Sequence, residues 1–186
     1  IPLYMGDSLR REIHPSREWH ALRGIKQALR DCQPDVVHTH SAKGGFLGRL
    51  AASSLRVPAI VHTVHGAPFH DYQSRGARAF FRWCEKRAAR RCHALVSVAD
   101  AMTDQLVASG VAPREKFRTV YSGMEVEPFV ESARHRAAVR QRFGFQDGQI
   151  VVGKIARLFH LKGHEYLIDA AADVIARREE VRFLLV

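Results

Sequence analysis

The sequence predicts an α/β fold built on parallel β-sheets, because short apolar segments alternate along the chain with longer helical ones. Strands are predicted at 36–40, 59–65, 94–98, 118–121, 150–156 and 181–186. Helices are predicted near 17–31, 43–55, 76–92, 99–109, 132–143 and 163–178. Most of the strand segments are continuous apolar runs rather than alternating ones, which is the pattern of strands covered on both faces.

One segment, 122–132, interrupts this alternation and predicts a linker between two domains. Gly123 and Pro128 flank a short mixed stretch, and a strongly basic helix and a new apolar strand follow it. We therefore place the domains at 1–127 and 128–186. The second is too short for a complete doubly wound sheet, and the chain stops on an apolar strand, so both domains are expected to be incomplete in this chain.

The composition is that of a globular protein with a large positive charge. It has 29 Lys and Arg residues against 19 Asp and Glu, a net charge of +10, which favours anionic partners such as phosphorylated small molecules, nucleic acid or anionic lipid. Three cysteines (Cys32, Cys84 and Cys92) without a C-x-x-C pair predict a reducing, cytoplasmic compartment. Neither a signal peptide nor a membrane span is expected, so the protein is predicted to be soluble or peripheral.

The first candidate site follows the strand predicted at 36–40, where Lys43, Gly44 and Gly45 open a helix. In parallel sheets, ligands bind at the carboxyl ends of strands, where helix N-termini point unpaired N–H groups outward. Lys43 and the two glycine amides could bind an anionic or hydroxyl-rich ligand. The residues equally allow a second interpretation, in which the glycines serve only a tight turn and close helix–strand packing.

Four histidines lie on two neighbouring predicted strands. His38 and His40 are two residues apart and so project from one face, whereas His62 and His65 cannot share a face of the next strand. A zinc site is disfavoured, because no carboxylate or thiolate lies at ligand spacing. No metal is predicted. A neutral imidazole at His65, just before Gly66, could bind substrate hydroxyls, or it could be a half-buried histidine bonded to backbone.

The strongest candidate site is the segment 151–164, which runs from a strand through a basic loop into a helix. Arg157 follows the strand, and Lys162 and Gly163 open the helix. A guanidinium group, an ammonium group and a helix N-terminus converging on one spot would suit a diphosphate. The alternative is that Arg157 and Lys162 are two solvated surface cations.

Four segments together resemble glycosyltransferase family 4, and the resemblance extends over essentially the whole chain. They read DVVHTHSAKGGFLGRLAA, HTVHGAPF, VYSGME and GKIARLFHLKGHE. The resemblance implies the GT-B fold of two Rossmann-like domains, an N-terminal acceptor-side domain (1–127) and a nucleotide-sugar-binding domain (128–186). It implies a retaining transfer of sugar from a nucleoside-diphosphate sugar to a glycan or lipid-linked acceptor, in cell-surface polysaccharide synthesis, without a metal or other cofactor.

The resemblance also implies roles for individual residues. Arg157, Lys162 and Gly163 would bind the donor diphosphate and stabilise charge on the leaving group. His65 would contact the donor sugar as the catalytic histidine. Gly66, Ser122 and Gly123 would line the donor-sugar side, with Ser122 replacing the usual asparagine. The acceptor side would comprise His40, Ser41, Lys43 and Gly44. The family's glycine-rich loop and paired glutamates are missing from the sequence, so this chain alone is expected to be inactive.

The segment 75–91 predicts a basic amphipathic helix. Its basic residues are Arg75, Arg78, Arg82, Lys86 and Arg90, and its apolar stripe comprises Ala77, Phe80, Phe81, Cys84 and Ala88. The stripe is expected to pack on the sheet while the basic residues face water. An alternative is docking on an anionic membrane that carries a lipid-linked acceptor, at the inner face of the membrane.

Two other functions remain open from the sequence. A non-catalytic phosphate- or nucleic-acid-binding module would agree with the charge, but no aromatic stacking platform or recognition motif supports it, so no specific nucleic acid is expected. A sugar-nucleotide epimerase would share the same two-domain fold, and the fold alone does not exclude it.

Overall fold

A computed structural model describes Tyr4, Leu9, Arg10 and residues 12–186. It divides into two compact units, Ile1–Gly123 and Met124–Val186. Both contain parallel strands joined by helices, which confirms the predicted α/β class. The assignment of 1–127 and 128–186 as acceptor-side and nucleotide-sugar domains stays a prediction.

The first unit is a four-stranded, all-parallel sheet with the strands in chain order, β1-β2-β3-β4. Its elements are α1 (Pro15–Cys32), β1 (Val36–His40), α2 (Ala42–Ser54), β2 (Ala59–Val64), α3 (Arg75–Ala89), β3 (Ala94–Ser97), α4 (Asp100–Ala108) and β4 (Phe117–Thr119), with a short 3₁₀ helix (Arg114–Lys116) before β4. Each predicted strand and helix of this unit is therefore present, with bounds shifted by at most three residues.

The core of the first unit lies on one face of this sheet. Ile60, Leu95 and Phe117 from the strands pack there with Ala89 of α3 and Leu106 of α4. Because successive strands are added in one direction, right-handed crossovers put α2, α3 and α4 on the same side.

The opposite face of the sheet is largely uncovered by the described residues. Val36 on this face is 58% exposed, and Val61 and Val96 are only partly buried. The expectation that the strands are covered on both faces is therefore wrong for the described part of the chain, since its crossover helices all lie on the other side.

Two glycines bring α2 close to the strands beneath it. A Cβ atom at Gly45 would lie 2.2 Å from Cε1 of His62, and one at Gly48 would lie 2.8 Å from Cγ2 of Thr39. Neither contact is sterically possible, so both positions need glycine for packing. The packing interpretation of the glycine-rich segment thus applies to Gly45, whereas Gly44 has only ordinary contacts, the nearest at 3.4 Å.

Helix α3 departs from its prediction at one residue of the apolar stripe. Ala88 is buried and Phe81 is partly buried, as expected, but Phe80 is 50% exposed and its ring stacks on that of Trp83, itself 58% exposed. At 100° per residue, Phe80 lies to one side of the stripe centre, so the packed face belongs to its neighbours and to Glu85.

No helix in the described part of the chain is long and apolar enough to cross a bilayer.

The second unit contains two parallel strands joined by a helix. Its elements are α5 (Glu127–Val130), a 3₁₀ helix (Glu131–His135), α6 (Arg136–Arg142), β5 (Ile150–Lys154), a 3₁₀ helix (His160–Lys162), α7 (His164–Arg177) and β6 (Val181–Leu185). The helix predicted from 132 therefore starts as a 3₁₀ helix. Val181 is buried, but Ile150 is 48% exposed, because two strands and one crossover helix enclose little apolar surface.

Candidate functional site

The predicted site residues of the first unit lie where its strands end. His40 is the last residue of β1 and Ser41 follows it, while His65 and Gly66 come directly after β2. Because β1 and β2 are parallel neighbours, these residues share one edge of the sheet. Ser122 follows β4, at the far side of the same edge.

Three histidines are in contact on the uncovered face. Nδ1 of His40 lies 3.0 Å from Nε2 of His65, and the rings of His38 and His40 are 4.3 Å apart, as their two-residue spacing predicts. Nε2 of His38 lies 2.7 Å from Oγ1 of Thr63. Partial burial lowers the pKa of His38, and the positive charges that His40 and His65 can carry lower it further.

The fourth histidine, His62, faces the core instead. Its Nδ1 lies 2.9 Å from Oγ1 of Thr39. Burial first, and then the positive charge of Arg49, lower the pKa of His62 to about 3, so its ring is neutral at physiological pH. Within the described residues, no three His, Cys, Asp or Glu side chains are grouped so that they could hold a metal ion.

A buried ion pair lies next to His62, and the sequence did not reveal it. Both guanidinium nitrogens of Arg49 donate to the carboxylate of Glu85, at 2.7 and 3.0 Å, and Nε of Arg49 donates to the carbonyl of Gly45. Arg49 is fully buried and so is nearly all of Glu85. The sequence feature that could have indicated this pair is Glu85, the single acidic residue of the otherwise basic helix α3, which lies on the side that faces the sheet.

The turn between β1 and α2 is strained at Ser41. Its φ of 61° and ψ of 166° lie in a region that is essentially reserved for glycine. Such strain costs about 1–3 kcal/mol and is typical of functional sites. The strained residue is one that the resemblance places on the acceptor side.

Lys43, predicted to contact a ligand, is fully engaged within the protein. Its ammonium donates to the carbonyls of Arg10 and Glu12 and, at 2.7 Å, to the carboxylate of Glu18 on α1. An ammonium group has three donors, so a ligand contact would require one of these bonds to break.

The loop that carries Ser122 and Gly123 is held at its start by a residue pair that the sequence did not reveal. The hydroxyl of Tyr121 donates to Oδ2 of Asp100, at the start of α4, over 2.6 Å. This hydrogen bond lowers the pKa of Asp100, and a hydrogen bond from Thr119 lowers it further by a smaller amount. Both Ser122 and Gly123 are exposed.

In the second unit, residues 155–163 between β5 and α7 form what we call the basic loop. Arg157 and Lys162 are exposed there, and among the described residues no carboxylate lies within ion-pair distance of either. Gly163, with φ of 60°, ends the loop as the N-cap of α7. Whether the two cations converge on one ligand remains a prediction.

The basic loop is tied to its flanks by two residues that the sequence did not single out. The ammonium of Lys154, at the end of β5, donates to the carbonyl of Gly163 over 3.1 Å. Nε2 of His164 lies 2.9 Å from the carbonyl oxygen of Arg157. These bonds tie the backbone of the loop to the end of β5 and to the start of α7.

Two surface depressions lie elsewhere on the first unit. One of about 540 Å³ runs along α1 beside Arg23 and Arg30, and one of about 420 Å³ lies between α3 and α4 beside Lys86 and Lys116. Neither is lined by a predicted site residue. Their positions therefore do not change the assignment of the strand ends as the candidate site.

Several known proteins are similar to this chain. It is 27% identical to the UDP-Gal:alpha-D-GlcNAc-diphosphoundecaprenol alpha-1,3-galactosyltransferase of Escherichia coli, over 92% of this chain and 46% of the relative. It is also 27% identical to the alpha-D-kanosaminyltransferase of Streptomyces kanamyceticus, over 88% of this chain and 44% of the relative. The chain thus spans less than half the length of these curated relatives.

Solved structures share its fold. The crystal structure of HepE from Anabaena in complex with UDP and glucose matches with a TM-score of 0.69 at 19% identity, covering 88% of this chain and 42% of HepE. The UDP-GlcNAc 2-epimerase from Methanocaldococcus jannaschii matches with a TM-score of 0.54 at 14% identity, covering 94% of this chain and 49% of the epimerase. The model of the glycosyl transferase 4-like domain matches residues 4–123. The chain belongs to this glycosyl transferase 4-like family.

Proposed function

We propose that the full-length protein is a retaining glycosyltransferase that moves a sugar from a nucleoside-diphosphate sugar to a glycan or lipid-linked acceptor. Its family membership and the transferases among its relatives support this proposal. The observation that carries it is the basic loop, where Arg157 and Lys162 are exposed and unpaired among the described residues. The epimerase alternative is supported by fold similarity alone.

The chemistry of the basic loop suits a diphosphate. A guanidinium group can donate two parallel hydrogen bonds to phosphate oxygens, and an ammonium group adds a second positive charge. The first-turn amides of α7, behind Gly163, add the positive end of a helix dipole. Negative charge grows on the leaving diphosphate during transfer, so these groups would stabilise the transition state more than the bound donor.

The first unit would bind the sugar and the acceptor at its strand ends. We assign His65 and Gly66 to the donor sugar, together with Ser122 and Gly123. We assign His40, Ser41 and Gly44 to the acceptor side, supported by the strained backbone at Ser41. Lys43 would act there indirectly, by holding α1 and the segment before it against α2.

A transfer assay with the full-length protein tests this proposal. A panel of nucleotide sugars is offered with lipid-linked and glycan acceptors, and the variants Arg157→Ala and Lys162→Ala are compared with the parent. Each should reduce kcat by roughly 10²–10³-fold, the usual effect of removing one group that stabilises developing charge.

The matched control is Arg177→Ala, which removes an exposed cation at the far end of α7 and should leave transfer unchanged. If Arg157→Ala and Lys162→Ala transfer sugar as well as the parent, the donor-site assignment fails. Release of an epimerised nucleotide sugar without an acceptor would favour the epimerase instead.

We further propose that the protein acts in the cytoplasm and docks peripherally on the anionic inner face of the membrane through α3. The outer face of this helix presents the stacked rings of Phe80 and Trp83 among exposed cations. Aromatic rings beside basic residues are the composition of helices that lie in a membrane interface. The cations attract anionic headgroups and the rings insert between them.

Sedimentation with anionic liposomes at low salt tests this second proposal. Arg78 already pairs with Asp71, so the variant reverses Arg82, Lys86 and Arg90 to Glu. This triple change should abolish co-sedimentation, because it replaces attraction by repulsion on the docking face.

The control for the liposome experiment is a second triple reversal to Glu, of Arg56, Arg136 and Arg177. It changes the net charge by the same amount at exposed positions outside α3. Membrane docking through α3 is wrong if both triple variants sediment alike.

A further inference from the structure

The pair formed by His40 and His65 points to an additional role in the reaction. We propose that His40 is a positioning residue, whose Nδ1 holds Nε2 of His65 and thereby fixes the ring orientation that His65 presents to the sugar and couples the tautomers of the two rings. The inference rests on the proposed transferase function. It adds a specific role for His40 to its assignment on the acceptor side.

The evidence for this inference is the number of protons that the facing nitrogens of His40 and His65 can carry. Two ring nitrogens 3.0 Å apart form a hydrogen bond only if one carries a proton and the other a lone pair. When both rings are neutral, the tautomer of one therefore sets the tautomer of the other. Whichever ring donates, Nε2 of His65 is engaged with His40.

The remaining nitrogen of His65, Nδ1, is thus the one left for a ligand. Among the described residues, no other group lies within hydrogen-bond distance of the His65 ring. His65 is exposed directly after β2, at the edge where substrates of parallel sheets bind. A ring held at one nitrogen, with its other nitrogen unbonded among the described residues, can form a directed hydrogen bond to a sugar hydroxyl.

His40 is itself held from its other side. The ring of His38 contacts it at 4.3 Å between centroids, and His38 is fixed by its 2.7 Å bond to Thr63. This chain of contacts runs from a buried threonine on β2 across β1 and back to the residue after β2. It restrains the His40 ring, so that the conformational entropy of the ring is lost on folding and not when a substrate binds.

The tautomers can be read directly by nitrogen-15 NMR of histidine side chains in this chain, at a pH where the rings are neutral. In the parent, Nε2 of His65 should show a hydrogen-bond shift, and the tautomer populations of His40 and His65 should match, because the bond requires both rings to carry the proton on Nδ1 or both on Nε2. In His40→Phe, which keeps a ring against His38 but has no nitrogen, the hydrogen-bond shift at Nε2 of His65 should be lost and its tautomer populations should change. His40→Asn, which restores a polar group without the ring, should recover most of the hydrogen-bond shift.

Two NMR results would overturn the inference, namely unmatched tautomer populations of His40 and His65 in the parent or an unchanged His65 in His40→Phe. The control is His20→Phe, on the exposed side of α1, which should leave His65 unchanged. This readout requires no enzymatic activity, so it decides the positioning role separately from the proposed transferase function.

Kinetics of the full-length protein then test the consequence. His40→Phe should lower kcat by roughly 10–100-fold, the usual effect of losing a group that orients a functional histidine, with KM for the nucleotide sugar changed less than about threefold. His40→Asn should recover most of kcat. An unchanged kcat in His40→Phe would refute the role of the pair in the reaction. A parent protein that is inactive with every donor would instead refute the transferase function, and it would leave the NMR result unaffected.

Discussion

The buried pair of Arg49 and Glu85 makes the fold sensitive to a single change of charge. Glu85→Gln keeps the shape of the side chain but removes the negative charge that faces a fully buried guanidinium group. The cost of leaving one member of a buried pair uncompensated is about 3–5 kcal/mol. We expect the lower end of this range, because the amide oxygen can still accept one of the two hydrogen bonds.

Urea denaturation followed by tryptophan fluorescence measures this effect in the right part of the molecule. The protein has two tryptophans, Trp19 and Trp83, and both belong to the first unit. The transition of Glu85→Gln should move to lower urea with an unchanged slope. The double variant Arg49→Met with Glu85→Leu should recover most of the loss, since it removes both charges and fills the space with apolar groups.

Two results would contradict this expectation for Glu85→Gln. A loss below about 1 kcal/mol in Glu85→Gln would mean that water or rearrangement compensates the guanidinium group. If the double variant were less stable than Glu85→Gln, Arg49 and Glu85 would have to stabilise the fold through more than the neutralisation of each other's charge.

Three further predictions concern the same core. Gly45→Ala should lose about 1–3 kcal/mol in urea denaturation, because its Cβ would overlap the His62 ring, whereas Gly24→Ala, with open space around it, should not destabilise. In the unfolded chain His62 binds a proton below about pH 6.5, whereas in the folded chain it binds one only near pH 3. The free energy of unfolding should therefore fall by about 2 kcal/mol from pH 7 to pH 5. His62→Gln, which has no group that titrates there, should flatten this pH dependence. Thr103→Val removes the hydroxyl hydrogen-bonded to buried Ser97 and should cost about 1–2 kcal/mol, whereas Thr103→Ser should retain most of it.

The regular elements were predictable because their signals are local. Apolar runs of strand length between helical segments determined the parallel class, and the structure moves their ends by only a few residues. The coverage of the first sheet was not predictable in this way. It depends on the order of the strands, which places α2, α3 and α4 on one side, and no local pattern encodes that order.

The candidate site was predictable in its residues but not in its contacts. His40 and His65 stand out as histidines near predicted strand ends, but their hydrogen bond depends on the register that pairs His40 with Thr63. Likewise, Lys43 looks like a ligand contact until the carbonyls of the preceding segment and the carboxylate of Glu18 are seen to occupy its donors. Such pairings arise from tertiary packing between residues distant in sequence.

The central claim is that Arg157 and Lys162 bind the diphosphate of a nucleotide sugar. The most direct measurement is calorimetric titration of the full-length protein with a panel of nucleoside diphosphates and, separately, with the nucleoside of the diphosphate that binds most tightly. That diphosphate should bind the parent at least tenfold more tightly than it binds Arg157→Ala or Lys162→Ala, a difference of about 1.4 kcal/mol or more, whereas the nucleoside should not distinguish the three proteins. Equal affinity of all three proteins for the diphosphate would contradict the claim.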